Sequence, residues 1–189
     1  MRNRNAWIQA ARPRTLPAAV IPVLVGSGVA ASVGGFDWLA ALICLAFALL
    51  IQIGTNFAND YYDWKQGADT ESRIGPTRAV ASGLISPQVM RRAAFLTLAV
   101  AFLVGLTLVL WGGLWLILVG VVSVLCAVAY TAKPFALGYR GLGDLFVIGF
   151  FGFVAVSCTA FVQTGYFPTA VWPTSLAIGL LANNLLVVN

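Results

Sequence analysis

WLAALICLAFALLIQIGTNFANDYYD, residues 38–63, decides how the rest of the chain is read. Its first twenty-one residues, Trp38–Ala58, carry no charge. That is about the length an α-helix needs to cross a hydrocarbon layer of about 30 Å. The stretch then ends in two aspartates, Asp60 and Asp63, and a third, Asp69, follows. A membrane-spanning helix that finishes in a cluster of acids needs a reason for them.

The flanking sequence repeats the apolar pattern. Five further segments have similar length and no charge: about 16–33, 93–111, 114–131, 145–162 and 171–188. The fold expected is therefore all-α, a polytopic membrane helical bundle with about six transmembrane helices, and residues 1–189 read as a single domain. Composition agrees: 60% hydrophobic, 9% charged, and a mean hydropathy of +0.92. Soluble domains carry about 25% charged residues. Cys44, Cys126 and Cys158 each lie in an apolar run, and the chain has no histidine. Zinc and Cys/His catalysis are excluded on that donor set.

All eleven Lys and Arg residues fall before the first span, between the second and third, or between the fourth and fifth. With alternating spans they share one face of the membrane. The positive-inside rule makes that face cytoplasmic, with the N-terminus on it, in the cell (inner) membrane. This alternation also argues against nucleic acid as the partner of the net +5 charge. Four tryptophans, Trp38, Trp111, Trp115 and Trp172, fall at outer ends; Trp7 and Trp64 fall at inner ends, as amphipathic rings do. The outer face holds little besides Asp37, so any chemistry belongs to the inner loops, about 59–92 and 132–144.

At about 100° per residue, Asn56, Asn59, Asp60 and Asp63 share an arc of roughly 100° on one helix face. Like charges so placed repel unless a cation joins them. Oxygen donors without His or Cys suit a hard ion, Mg²⁺ or Ca²⁺, and Mg²⁺ shares its coordination with phosphate oxygens. Lys65, Arg73, Arg78, Lys133 and Arg140 follow in the inner loops. Acids, a metal and cations together describe a diphosphate site. KPFALGYRGLGD, 133–144, adds glycines for close backbone approach, and Asp144 is placed to cap the fifth span. Tyr130 and Tyr139 are candidate aromatic faces for a cationic group, or packing residues.

These residues resemble the UbiA superfamily of intramembrane prenyltransferases. Asn56, Asp60 and Asp63 match its NxxxDxxD motif. ARPRTLPAAVIPVLVG (11–26), NDYYDWKQGADTESRIGPTRAVASGLIS (59–86) and GYRGLGDLFVIGFFG (138–152) are similar to the branch that prenylates 1,4-dihydroxy-2-naphthoate in menaquinone synthesis. The hydroxybenzoate branch instead tends to place an acid where Gly67 stands and Arg-Pro-Leu where Ala79 and Val80 lie.

The resemblance implies a bundle of about nine helices, two acid motifs holding Mg²⁺, and a polyprenyl diphosphate whose prenyl group attacks the aromatic acceptor. The ring then loses its carboxylate and gives demethylmenaquinone. It implies Asn56, Asp60, Asp63 and, more weakly, Asp69 as metal ligands, with Asn59 beside them. Asp60, Asp63, Lys133 and Arg140 take catalytic roles. Asn56, Asn59, Arg73, Arg78, Tyr130 and Tyr139 contact substrate. Arg12 and Arg14 stand before the first span as topogenic or substrate-binding residues. Against an expected nine helices, six are present, so the expectation is a chain lacking its C-terminal helices and second acid motif. Asn183, Asn184 and Asn189 echo the amides that precede the first acids. The competing acceptor is 4-hydroxybenzoate. The competing class is a cation or small-molecule transporter, which favours ionisable groups at mid-depth rather than at span ends.

Overall fold

Helix α3, Trp38–Lys65, is the axis of the molecule. Its 28 residues span about 42 Å, more than the hydrocarbon thickness, so one end projects beyond it. The computed structural model describes residues 2–68 and 78–188, without the side chains of 2–4 and 186–188. Among these residues there are helices and turns and no strand.

A helix stands at each of the six expected segments: α2 (Pro17–Ser32), α3, α4 (Pro87–Leu106) with the short α5 (Val109–Gly112), α6 (Trp115–Ala129), a composite helix over 143–164, and α9 (Val171–Val188). The composite consists of α7 (Gly143–Val147), a π-helical turn (Ile148–Val154) and α8 (Ala155–Thr164). Among the described residues, three helices alone are long and apolar enough to cross a membrane: Trp38–Lys65, Pro87–Gly112 and Gly143–Thr164. A fourth crossing arises if the segments Asn5–Thr15 and Pro17–Ser32, bent by 48°, count as one. An amphipolar helix α1 (Arg2–Ala11) precedes that bend, in sequence that patterning left unassigned.

Close contacts fix the directions of the helices. Gly54 faces Leu98 and Gly105 faces Phe47, so α3 and α4 run antiparallel. Gly26 faces Val156 and Thr159, and Gly35 faces Thr164, so α2 and α8 run parallel. Gly152 faces Gly179 and Gly179 faces Ile148, so α9 returns antiparallel to the π turn. These pairings match the alternation expected from the charges. Small residues let backbones approach where no hydrophobic drive exists between helices in lipid. A Cβ on Gly152 would meet backbone, Gly179 Cα at 2.8 Å and the Ser175 carbonyl. Gly152→Val therefore overpacks a contact that cannot yield. We expect a loss of about 1–3 kcal/mol, read as earlier detergent unfolding, while Gly149→Ala, whose Cβ meets nothing within 4 Å, unfolds no earlier than the parent.

The outer end is closed by polar and aromatic contacts. Asp37 caps α3, accepting from the Leu39 and Ala40 amides at 2.9 and 3.0 Å, and takes the Trp111 indole N–H at 3.0 Å. Trp115, Phe161, Phe167 and Trp172 interlock beside it. The Ala40 amide first, and the Trp111 indole second, lower the pKa of Asp37 from its ordinary 3.8. A carboxylate with a depressed pKa contributes stability above its unfolded value and loses it as pH falls through the folded one. Asp37→Asn is thus expected to melt below the parent at neutral pH, with the gap closing as pH falls through the lowered pKa of Asp37. Equal melting at neutral pH would show that the charge contributes nothing.

Candidate active site

The last turns of α3 place four polar side chains where the helix leaves the apolar layer. Asn56, Asp60 and Asp63 are all buried, Asp60 at 2% exposure. Carboxylates at a helix C-terminus face the negative end of the macrodipole, an unfavourable position that requires donors or cations nearby. Asp60 finds donors at residues 79 and 80, and Asp63 finds them at Arg78 beside that turn and at Tyr139 in the second loop.

Asp60 accepts the backbone N–H of Ala79 on one oxygen and of Val80 on the other, both at 3.1 Å. The turn it holds is anchored by apolar burial: Ala79, Val80 and Ile85 pack with Phe57, Ala58, Tyr61 and Met90. Asp63 accepts Arg78 Nη2 at 2.5 Å and the Tyr139 hydroxyl at 2.6 Å. Both inner loops therefore fasten on a single carboxylate. Asn59 accepts from the Thr131 hydroxyl, and Gln66 donates to the Thr131 carbonyl at 2.8 Å, which ties the end of α6 to the end of α3.

Asn56 turns its amide nitrogen to the α1–α2 elbow, donating to the Ala11 carbonyl at 2.9 Å and to Thr15 Oγ1 at 3.1 Å. Gln52 joins it on Thr15. The elbow needs such bracing, since Arg12 adopts a left-handed backbone with φ 50°. The Asn56 carbonyl oxygen is the atom of that side chain suited to a cation.

Sequence reasoning missed Thr15, Gln52, Gln66 and Thr131. Gln52 was findable as a lone amide inside an apolar span; the others carry no such signal. Asp144 corrects an expectation. It lies inside the first turn of α7, and Leu142 occupies the cap position without a side-chain bond. Asp69 and Arg73 lie outside the described residues.

Two spaces are lined by neighbours of the acids, one by Tyr139, which bonds Asp63, and one by Thr55, next to Asn56 in the chain. A cleft of about 710 Å³ is lined by Gln66, Lys133, Pro134, Tyr139 and Arg140. Arg140 is exposed there and donates to the Pro134 carbonyl at 2.7 Å. On the membrane side lies an apolar cavity of about 180 Å³. Gln52, Thr55, Tyr130 and Phe146 line it toward the acids; Val23, Cys44, Leu108 and Leu116 line its far end. The Tyr130 ring lies under the glycine loop, where Cβ atoms on Gly138 and Gly143 would stand 3.0 and 3.1 Å from it.

The donor set fits a hard cation in its chemistry. Among the described residues no three His, Cys, Asp or Glu side chains gather, so a cation here would complete its shell with substrate oxygens or water. Asp60 accepts a backbone N–H on each of its two oxygens. Hydrogen bonds of this kind orient metal-ligating carboxylates.

Residues 19–189 match the UbiA prenyltransferase family. The chain is 42% identical over 183 residues to the 1,4-dihydroxy-2-naphthoate octaprenyltransferase of Mycobacterium tuberculosis, covering 97% of this chain and 62% of the relative. It is 38% identical over 191 residues to the protein of the same description in Escherichia coli, covering 98% and 62%. It is 29% identical over 185 residues to the 2-carboxy-1,4-naphthoquinone phytyltransferase of a Synechocystis strain, covering 94% and 57%. The chain thus spans less than two thirds of the length of these relatives. With the acid motif buried at the inner end of its longest helix and the match running over most of its length, the chain belongs to the UbiA prenyltransferase family.

Proposed function

We propose that residues 1–189 form a single transmembrane domain that transfers a prenyl group from a polyprenyl diphosphate to 1,4-dihydroxy-2-naphthoate. The ring carbon that gains the prenyl group loses its carboxylate as CO₂, the diphosphate leaves, and the product is the quinol form of demethylmenaquinone. One observation carries this reading: Tyr139, bonded to the buried Asp63, lines a basic cleft, while Gln52 and Thr55, just before the buried Asn56 and Asp60 on the same helix, line an apolar cavity. That arrangement matches a ligand with a charged head and a hydrocarbon tail. The printed names of the relatives support the naphthoate acceptor.

Asp60 and Asp63, with the Asn56 carbonyl oxygen, are the proposed ligands of Mg²⁺, and Asn59 and Asp69 stand beside them in sequence. Mg²⁺, when bound, neutralises charge that develops on the departing diphosphate. Lys133, Arg140, Arg78 and Arg73 take the remaining phosphate oxygens or the acceptor carboxylate. Tyr139 holds Asp63 in position. Tyr130 presents its ring to the cavity, where an aromatic face favours a cationic prenyl carbon. The apolar wall keeps water away from that carbon. The inner end of α3 is proposed to face the cytoplasm from the cell (inner) membrane, on the grounds of charge asymmetry.

The test uses proteoliposomes with labelled prenyl diphosphate, Mg²⁺ and either dihydroxynaphthoate or hydroxybenzoate. We expect a prenylated naphthoquinol from the first alone, abolished by chelator. Transfer to hydroxybenzoate alone would change the acceptor, and ion flux without transfer would replace the enzyme by a transporter.

A further inference from the structure

Nine residues of the composite helix line the apolar cavity, in neighbouring pairs that begin at Phe146, Phe150, Val154 and Cys158 and end on Val162, so one row runs at intervals of four. A straight α-helix would turn such a row steadily away from the cavity. At about 100° per residue the sixteen steps from Phe146 to Val162 drift by about 160°, and the ends would point to opposite sides. The π turn removes the drift. Its wider bonding pattern gives about 82° per residue over Ile148–Val154, and the net rotation falls to about 35°. One wall of the cavity thus stays continuous from its polar mouth to its far end. At that mouth Phe146 and Phe150 lie nearly parallel, 11° apart with centroids at 6.0 Å. Behind the turn, the Gly152–Gly179 approach brings α9 against its backbone.

We propose that the π turn is the specificity device for the prenyl donor: it aligns the wall along which the hydrocarbon lies, and the Phe146–Phe150 pair grips the isoprene units next to the diphosphate. This rests on the prenyl-transfer reading above. Phe150 is the residue that sets donor affinity. Gly149, where an added Cβ would meet nothing within 4 Å, lies inside the turn and is assigned as the extra residue that the turn accommodates.

Cys158 offers a readout independent of turnover, because it lines the same wall. The experiment measures alkylation of Cys158 by N-ethylmaleimide, followed by peptide mass, with farnesyl thiodiphosphate as protectant and inorganic diphosphate as control, with Mg²⁺ present and no acceptor added. In the parent the prenyl analogue protects and inorganic diphosphate does not. Phe150→Ala raises the half-protecting concentration about tenfold or more, and removal of Gly149 does the same. Phe150→Leu, which keeps apolar bulk and loses the ring, raises it about threefold. Leu110→Ala, at an 85% exposed position, leaves it unchanged. If the alanine variant does not fold, the leucine variant decides. Protection at parental concentrations in both the Phe150 and Gly149 variants overturns the proposal. No protection of the parent overturns the prenyl reading itself, and the inference with it.

Discussion

Asp63→Asn lowers Mg²⁺-dependent prenyl transfer by roughly a thousandfold, at the upper end of what one electrostatic group contributes. The substitution keeps one carbonyl oxygen that can accept from Tyr139 or Arg78, and it replaces the charge and the second acceptor by an amide NH₂. Asp60 still holds the 79–80 turn. The protein is therefore expected to retain its helix content and its elution in detergent. What disappears is the carboxylate on which Arg78 and Tyr139 converge, and with it one proposed oxygen ligand. The rate is measured against Mg²⁺ concentration in proteoliposomes. Parental turnover at ordinary Mg²⁺ removes Asp63 from the site.

Asp60→Ala has the largest expected effect on structure. It leaves two buried backbone N–H groups, of Ala79 and Val80, without acceptors. Each such loss costs about 1–3 kcal/mol. Even about 3 kcal/mol in total raises the open population of this segment by roughly two orders of magnitude. Trypsin then cleaves the Arg78–Ala79 bond that much faster, since Ala79 is 1% exposed when the turn is closed. Asp60→Asn keeps one acceptor and sets an amide against the other N–H, so its cleavage rate falls between the two. Cleavage of the alanine variant at the parental rate would show that Asp60 does not hold the loop. The two aspartates thus separate by readout: Asp63 through chemistry, Asp60 first through the loop.

Much of this was legible in the sequence. Six apolar runs gave six helices because hydrocarbon thickness admits little else, and the placement of Lys and Arg gave their alternation. The helical arc of Asn56, Asn59, Asp60 and Asp63 followed from the period alone. Partners did not follow. That Asp60 faces two amides some twenty residues on, or that Tyr139 reaches Asp63, depends on loop paths set by burial of Ala79, Val80 and Ile85. Residues 145–162 read as one uninterrupted span, because a π turn leaves the hydrophobic run unbroken and changes only its phase. Asp144 was read as a cap from residue type, which identifies good caps and does not identify the residue where a helix starts.

The length of α3 has a consequence for supply. A helix of about 42 Å is longer than the hydrocarbon layer, which would set its acids at headgroup level with the apolar cavity below. On the proposed prenyl transfer, a lipid-like donor would then enter with its head already at the right depth. The relevant concentration would be two-dimensional, and adding inert lipid at constant bulk amount is expected to slow the proposed reaction by surface dilution alone.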